Sequence, residues 1–210
     1  MSDKFSKSNQ VTIRGEIVSM FSYSHEAYGK KFYMVDMKLK RLSGADDVIP
    51  VMVSDKLVDI SRDYTGMFIM VNGQYRSCNR NDGQKSRLIL SVYAQELEMI
   101  WEEPDAADSN HIALEGYLCK QPIHRKTPLG RWITDIILAV TRPYGGSDYI
   151  PCICWGRKAA LTAGLEIGSH IKIAGRIQSR GYIKKLTETE YEQRTAYEVC
   201  VKKLDVSMDE

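Results

Sequence analysis

Asn9-Gln-Val-Thr-Ile-Arg-Gly-Glu-Ile17 alternates apolar with polar residues, a pattern typical of a strand with one buried face. The same pattern returns 101 positions later as Asn110-His-Ile-Ala-Leu-Glu-Gly-Tyr-Leu118. Further identical residues keep offsets of 101, then 102, then 107: Gly29 and Gly130, Arg41 and Arg142, Ile49-Pro50 and Ile150-Pro151, Gly73 and Gly175, Arg87 and Arg194. Chance does not hold such a register over several strands, so the chain contains an internal duplication.

Each copy contains five strand-like runs with a helix-like segment between the third and the fourth. In the first copy the helical spacing falls within residues 54–64, and a hairpin turn is expected near Asn81-Asp82-Gly83. Five strands and one helix in roughly 90 residues are typical of the OB-fold, a five-stranded Greek-key barrel. The sequence therefore predicts an all-β chain of two tandem OB-folds, each with a short helix between strands 3 and 4.

An acidic, proline-containing stretch divides the two copies. Residues 101–109 include Glu-Glu-Pro-Asp-Ala-Ala-Asp, which is typical of an inter-domain linker. We expect a flexible tail at 1–8, one OB domain at 9–100, a second at 110–204 and a short acidic tail at 205–210.

Charge is unevenly distributed between the copies. Residues 110–204 carry 15 Lys and Arg against 8 Asp and Glu, a net charge of +7, whereas residues 1–100 carry 14 against 12, or +2. The excess favours a polyanionic partner for the second copy. No apolar run reaches the roughly 18 residues of a membrane span, and the polar start is unlike a signal peptide, so we expect a cytoplasmic protein without membrane contact.

The pattern of reactive residues argues against catalysis. The five cysteines are scattered, and the closely spaced pair Cys152 and Cys154 alternates with Ile153 as buried strand residues do. No group of His, Cys or carboxylate residues has the spacing of a metal or catalytic site. We therefore expect a protein that is not an enzyme and needs no metal or cofactor.

Aromatic residues in the second copy suggest what the basic surface contacts. In Asp148-Tyr-Ile-Pro-Cys-Ile-Cys-Trp-Gly156, Tyr149 and Trp155 are six positions apart and fall on the same face of a strand. Exposed aromatics beside arginines suit the stacking of unpaired nucleobases. Ordinary packing is the alternative for this one pair, and the irregular alternation near Trp132 leaves open whether that side chain faces the core or a groove.

The second copy resembles the OB domain of the bacterial single-stranded-DNA-binding protein family over residues 110–204. The resemblance is carried by Gln121-Pro122-Ile-His-Arg125, by Ile136-Ile-Leu138-Ala139-Val140-Thr-Arg142, by residues 148–156 and by Gly175-Arg-Ile-Gln-Ser-Arg-Gly-Tyr182. It implies sequence-independent binding and protection of single-stranded DNA in replication, recombination or repair. The implied contacts are base stacking by Tyr144, Tyr149, Trp155 and Tyr182, and phosphate binding by Arg125, Lys126, Arg131, Arg142, Arg176, Arg180 and Lys184.

The first copy departs from this pattern. Val48, Ser54 and Arg80 stand where the second copy has Tyr149, Trp155 and Tyr182. Aromatics appear at other places instead, among them Phe21, Tyr23, Tyr28, Phe32, Tyr33 and Tyr75. Phe32 and Tyr33 point to opposite faces of one strand, so at least one is expected in the core. Phe21, Tyr23 and Tyr28 would lie in the first loop, where they could contact nucleic acid or another protein. The favoured interpretation is a degenerate barrel that completes an assembly.

The resemblance also implies four barrels per assembly, hence a homodimer of this two-barrel chain on the bacterial nucleoid. Family members recruit replication proteins through an acidic tail with a hydrophobic tip, and residues 205–210 lack such a tip. Replication or repair proteins remain candidate partners. Two alternatives stay open: an OB-fold interaction module of a primosome or of a conjugation or mobile-element replication complex, and an RNA-binding OB protein.

Overall fold

A computed structural model describes residues 8–81, 86–188 and 190–207, within which it has twelve strands and one helix. The first half contains β1 (Asn9–Ile17), β2 (Ser22–Ala27), β3 (Lys30–Lys40), β4 (Asp46–Ser54), β5 (Phe68–Asn81) and β6 (Ser86–Ile100). The second contains β7 (Asn110–Leu118), β8 (Ile123–Lys126), β9 (Trp132–Thr141), β10 (Ser147–Trp155), α1 (Arg157–Ala163), β11 (His170–Lys185) and β12 (Tyr191–Val206). Asp82 and Gly83 of the expected turn, and most of the expected tails, lie outside the described residues.

The predicted duplication is confirmed by the strand boundaries. β1 and β7 begin 101 residues apart, as do β4 and β10, and β5 and β11 begin 102 apart. In the first half β1 pairs with β5, β5 with β6, β6 with β4, β4 with β3 and β3 with β1, so five strands close into a barrel. The second half repeats this ring in β7, β11, β12, β10 and β9. The chain is therefore two OB-folds, as predicted.

The sequence reading missed one strand in each half. β2 pairs with β3, and β8 pairs with β9, so each barrel carries an additional antiparallel strand on its edge. All four side chains of β8 are exposed, and β2 is exposed except at its last residue. Without a buried face, neither segment shows the apolar alternation by which strands are recognised.

The helix expected in the first copy is wrong. Residues 55–64 form turns and bends instead. Two aspartates there satisfy nearby backbone groups: Asp59 accepts a hydrogen bond from the Ser61 N–H (3.1 Å), and Asp63 accepts one from the Thr65 N–H (2.9 Å). Such local bonds compete with helical ones. In the second half the predicted helix α1 is present, and it is anchored where the Thr134 hydroxyl donates to the Ala159 carbonyl oxygen at 2.7 Å. None of the helices in the described ranges has the length and apolar character needed to cross a membrane.

The two barrels join through their first strands. β1 pairs antiparallel with β7 from Asn9 opposite Leu114 to Ile13 opposite Asn110, centred on Val11 opposite Ile112. Since Val11 and Ile112 are equivalent residues of the two copies, the junction has an approximate two-fold axis. Ser109, at the end of the acidic connection, is buried and donates from its hydroxyl to the Lys40 carbonyl oxygen at 2.9 Å. The halves therefore meet as the two subunits of a symmetric dimer would, within one chain.

Candidate nucleic-acid interface

The outward face of β10 carries the aromatic pair that the sequence singled out. Tyr149 is opposite Ala139 and Trp155 is opposite Ile133 across the β9–β10 pair, and both aromatics lie on the same face of the strand. The intervening Ile150, Cys152 and Cys154 are at most 2% exposed. Tyr149 is 47% exposed and Trp155 is half-buried, so the predicted separation into a core face and an outer face is confirmed.

The hairpin β11–β12 continues this face. Ile153 of β10 is a register partner of Cys200 in β12, and Cys200 is opposite Arg176 in β11, so the three side chains share one side of the sheet. Beyond the bulge at residues 174–175, alternate residues of β11 add to it: Gln178, Arg180, Tyr182 and Lys184. We call this continuous side of β9, β10, β12 and β11 the groove face. It brings together three predicted stacking residues and three predicted phosphate contacts.

The centre of the groove face is ionic as well as aromatic. Arg125 of β8 donates from Nε to Asp135 Oδ2 of β9 at 2.6 Å, and Arg180 and Glu198 line the same groove beside Ile137 and Pro151. Burial raises the pKa of the Glu198 carboxyl, and the nearby Arg180 opposes that rise. Asp135 and Glu198 were missed by the sequence reading, since alternation indicates a face but not which acidic side chains converge on it.

Arg142 has a structural role that the sequence did not indicate. Its Nε donates to Asp148 Oδ2 at 3.0 Å, and its Nη2 donates to Asp148 Oδ1 at 2.5 Å and to the Ser77 carbonyl oxygen of the first half at 2.7 Å. The Asp148 side chain is fully buried. Nε and Nη2 are thus committed within the protein, which gives Arg142 a structural role beside the phosphate contact expected of it.

The remaining predicted contacts lie at the rim of the second barrel. Tyr144 is fully exposed in the turn between β9 and β10, and Lys126 and Arg131 lie at the exposed β8–β9 hairpin. Trp132 is 48% exposed, with His124 stacked on it at a centroid distance of 4.6 Å and Lys126 Nζ 4.9 Å from its ring centre. Because the adjacent Ile133 lies opposite Trp155, Trp132 is on the other side of β9 and belongs neither to the core nor to the groove face.

Comparison of the sequence with known proteins shows which family the chain belongs to. The model of the single-strand binding protein family matches residues 109–207. Single-stranded DNA-binding protein B of Bacillus subtilis is 35% identical over 80 residues, which cover 35% of this chain and 71% of that protein. The chain belongs to the single-strand binding protein family. A single-stranded DNA-binding protein of Halalkalibacterium halodurans is 36% identical over 80 residues, and the chain spans about half of its length (48%).

A solved structure of the family extends the comparison in fold to both halves. Wild-type single-stranded DNA binding protein from Thermus aquaticus superposes with a TM-score of 0.66 over 96% of this chain and 94% of that chain. Sequence identity is 18%, so this likeness shows the fold alone. The family model matches residues 109–207, which is the half that carries the groove face described above.

In the first half of this family member, the surface equivalent to the groove face is filled by its own side chains. Phe32, at the position equivalent to Ile133, stacks on His25 of β2 at 5.0 Å and contacts Tyr93 of β6 at 5.9 Å, and it is only 7% exposed. Opposite Phe32 stands Ser54, in the place of Trp155. A base cannot stack on rings that are already packed on one another, so this face lacks the free aromatic surface of its counterpart.

The other first-half aromatics have separate positions. Tyr75 is completely buried, whereas Tyr23, in β2 rather than in a loop, is 60% exposed and packs edge-on against Tyr33 at 5.7 Å. Phe21 packs edge-on against Tyr64, and Tyr28 is fully exposed in the β2–β3 turn. Among the residues that the structure describes, no group of three or more His, Cys, Asp or Glu side chains is arranged to hold a metal ion.

Proposed function

We propose that the chain binds single-stranded DNA without sequence preference and protects it during replication, recombination or repair. The observation that carries the proposal is the continuous groove face of the second barrel. There Tyr149, Trp155 and Tyr182 share one side of the sheet with the cations of β11. Every base has a π-face and every nucleotide a negative phosphate, so this combination recognises an unpaired strand of any sequence.

The proposed contacts divide into two groups. Tyr144, Tyr149, Trp155 and Tyr182 stack on bases, each for about 1–3 kcal/mol. Phosphates are bound by Arg125, Lys126, Arg131, Arg176, Arg180 and Lys184, and each neutralised phosphate releases counterions, which makes binding weaker at higher salt. Arg125 exchanges its Asp135 partner for a phosphate when DNA enters the groove.

The second barrel is the principal DNA-binding unit in this proposal, and the first barrel completes the assembly. Two chains would give four barrels in a cytoplasmic homodimer on the nucleoid. The relatives are named as single-stranded DNA-binding proteins, which supports a binding protein rather than an enzyme. The filled face around Phe32 favours a second candidate role for the first barrel, contact with a replication or repair protein.

Fluorescence anisotropy with labelled oligonucleotides tests the proposal. The full chain should bind an oligo-dT strand with an affinity that falls as salt is raised, should bind a duplex of equal length far more weakly, and should prefer DNA to an RNA strand of matched sequence. Equal binding of the single strand and the duplex would refute it. Tighter binding of RNA would favour an RNA-binding role, and capture of a replication partner without oligonucleotide binding would favour an interaction module.

A further inference from the structure

Besides the β1–β7 junction, β5 of the first half contacts the start of β10 in the second half. The Tyr149 N–H donates to the Ser77 hydroxyl oxygen at 2.9 Å, and the Ser77 N–H donates to Asp148 Oδ1 at 2.7 Å. Ser77 is on β5 of the first half, and it is 7% exposed. Arg76, its neighbour in sequence, donates from Nη1 to Asp148 Oδ2 at 2.9 Å.

The approximate two-fold axis relates this contact to an equivalent one at Ser179 of the second half. There the Val48 N–H donates to the Ser179 hydroxyl oxygen at 3.1 Å, and the Ser179 N–H donates to Asp47 Oδ1 at 2.6 Å. Arg41 binds Asp47 and donates from Nη2 to the Ser179 carbonyl oxygen at 2.9 Å, as Arg142 does at Ser77. The two contacts share the serine hydroxyl that accepts a strand N–H and the arginine–aspartate pair beside it, and they hold Tyr149 in one and Val48 in the other. They differ in that Arg76, which also binds Asp148, has Gln178 at its equivalent position.

Strand pairing explains why Tyr149 depends on this contact. One edge of β10 pairs with β9 along the whole strand. On the other edge, β10 pairs with β12 only at Cys152 and Ile153. The Tyr149 N–H therefore lies beyond the end of the β12 pairing, and the Ser77 hydroxyl supplies its acceptor. A buried or half-buried N–H without a partner destabilises its local conformation, since it has lost its bond to water.

We propose that Ser77 of the first barrel is a positioning residue for single-stranded DNA binding by the second barrel. By accepting the Tyr149 N–H and docking against Asp148, it fixes the start of β10 so that the Tyr149 ring stays on the groove face. The first barrel, whose own groove face is filled, thus contributes to the site without touching DNA. This inference rests on the proposed function, because it concerns the same site.

The symmetry of the chain supplies a matched control. Ser77→Ala removes the acceptor of the Tyr149 N–H, while Ser179→Ala removes the equivalent acceptor of the Val48 N–H. Ser77→Ala should weaken binding of an oligo-dT strand by about fivefold, from the loss of one hydrogen bond that orders a stacking residue. Ser179→Ala should change affinity less than twofold while lowering thermal stability to a similar extent. Ser77→Thr, which keeps the hydroxyl, should restore binding.

A double-mutant cycle separates positioning from a general loss of stability. In a Tyr149→Ala background, Ser77→Ala should have no further effect on affinity, since there is no ring left to position. The inference is overturned if Ser77→Ala binds within twofold of the wild type, if Ser179→Ala weakens binding equally, or if the Ser77 effect persists without the Tyr149 ring. Failure of the wild type itself to bind single strands would instead refute the proposed function, and this inference with it.

Discussion

Replacing Trp155 and Tyr182 together with alanine should weaken binding of single-stranded DNA while leaving the fold intact. Trp155 is half-buried on the groove face of β10, and Tyr182 is 38% exposed on the groove face of β11 opposite Arg194. Neither side chain belongs to the buried core. Their removal therefore takes away stacking surface and little of the packing that stabilises the barrel.

The magnitude follows from the stacking energy per base. Two rings at about 1–3 kcal/mol each contribute about 2–6 kcal/mol, and each 1.4 kcal/mol changes affinity tenfold. Trp155 is half-buried and Tyr182 is 38% exposed, so only part of each ring is free to a base. The expected loss is accordingly at the lower end, about 30-fold and in any case more than tenfold.

Fluorescence anisotropy at fixed salt measures this loss, and a thermal melt checks that the fold survives. Trp101→Ala is the matched control, because Trp101 is a 91% exposed tryptophan in the acidic connection and away from the groove face. The salt dependence of binding should be unchanged in the double variant, since no cation has been removed. A double variant that binds within threefold of the wild type would refute the stacking roles.

Three further predictions concern charge and core packing. Burial raises the pKa of the Glu198 carboxyl despite the nearby Arg180, so binding should strengthen when the pH is lowered from 7 toward 5 and this groove carboxylate takes up a proton. Glu198→Gln should bind more tightly at pH 7 and should lose that pH dependence. An unchanged pH profile in the variant would contradict the assignment. Burial acts to raise the pKa of Asp148, but the hydrogen bonds from Arg142 and its other donors outweigh this effect and hold the pKa below its ordinary value. The ionised Asp148 therefore stabilises the fold above about pH 4, and this stabilisation is lost as the pH falls through the folded-state pKa. Asp148→Asn should lower the free energy of unfolding, measured in urea at pH 7, by about 2 kcal/mol, which is less than for a fully buried ion pair because the arginine partners are partly solvated. The difference from the wild type should shrink at acid pH. An equal difference at both pH values would contradict this. Tyr75→Phe removes a completely buried hydroxyl that has no hydrogen-bond partner among the residues the structure describes, and it should raise the free energy of unfolding by about 1 kcal/mol. A loss of stability would indicate that the hydroxyl is satisfied.

The duplication and the barrel could be predicted because they depend on local patterns. Alternation marks the buried strands, and paired glycines mark places where backbones approach closely: a Cβ at Gly73 would lie 2.1 Å from the Tyr93 carbonyl oxygen, and one at Gly175 would lie 2.2 Å from that of Cys200. β8 could not be predicted, because a short exposed edge strand has no apolar face. The turns at residues 55–64 were mistaken for a helix because side-chain capping by aspartate is weak as a sequence signal.

The role of Arg142 shows what charge alone cannot indicate. A basic residue near a binding face suggests phosphate contact, but Nε and Nη2 of Arg142 bind a buried acid and a backbone carbonyl in the fold. The sequence did contain a signal: Arg41 and Asp47 recur as Arg142 and Asp148, at the same offset, in both copies. A pair retained in the copy that has lost its stacking aromatics is better explained by structure than by DNA binding. The contact of Ser77 with Tyr149 crosses between the copies and has no local pattern.

Tryptophan fluorescence during titration with oligo-dT tests the central claim most directly. Trp101→Phe and Trp132→Phe together leave Trp155 as the sole tryptophan of the chain. If bases stack on the groove face, its emission should be quenched by single strands, with an affinity that falls at higher salt, and should be unaffected by duplex. Binding of the strand by anisotropy without quenching of Trp155 would contradict the assignment of the groove face, and absence of both would contradict single-stranded DNA binding itself.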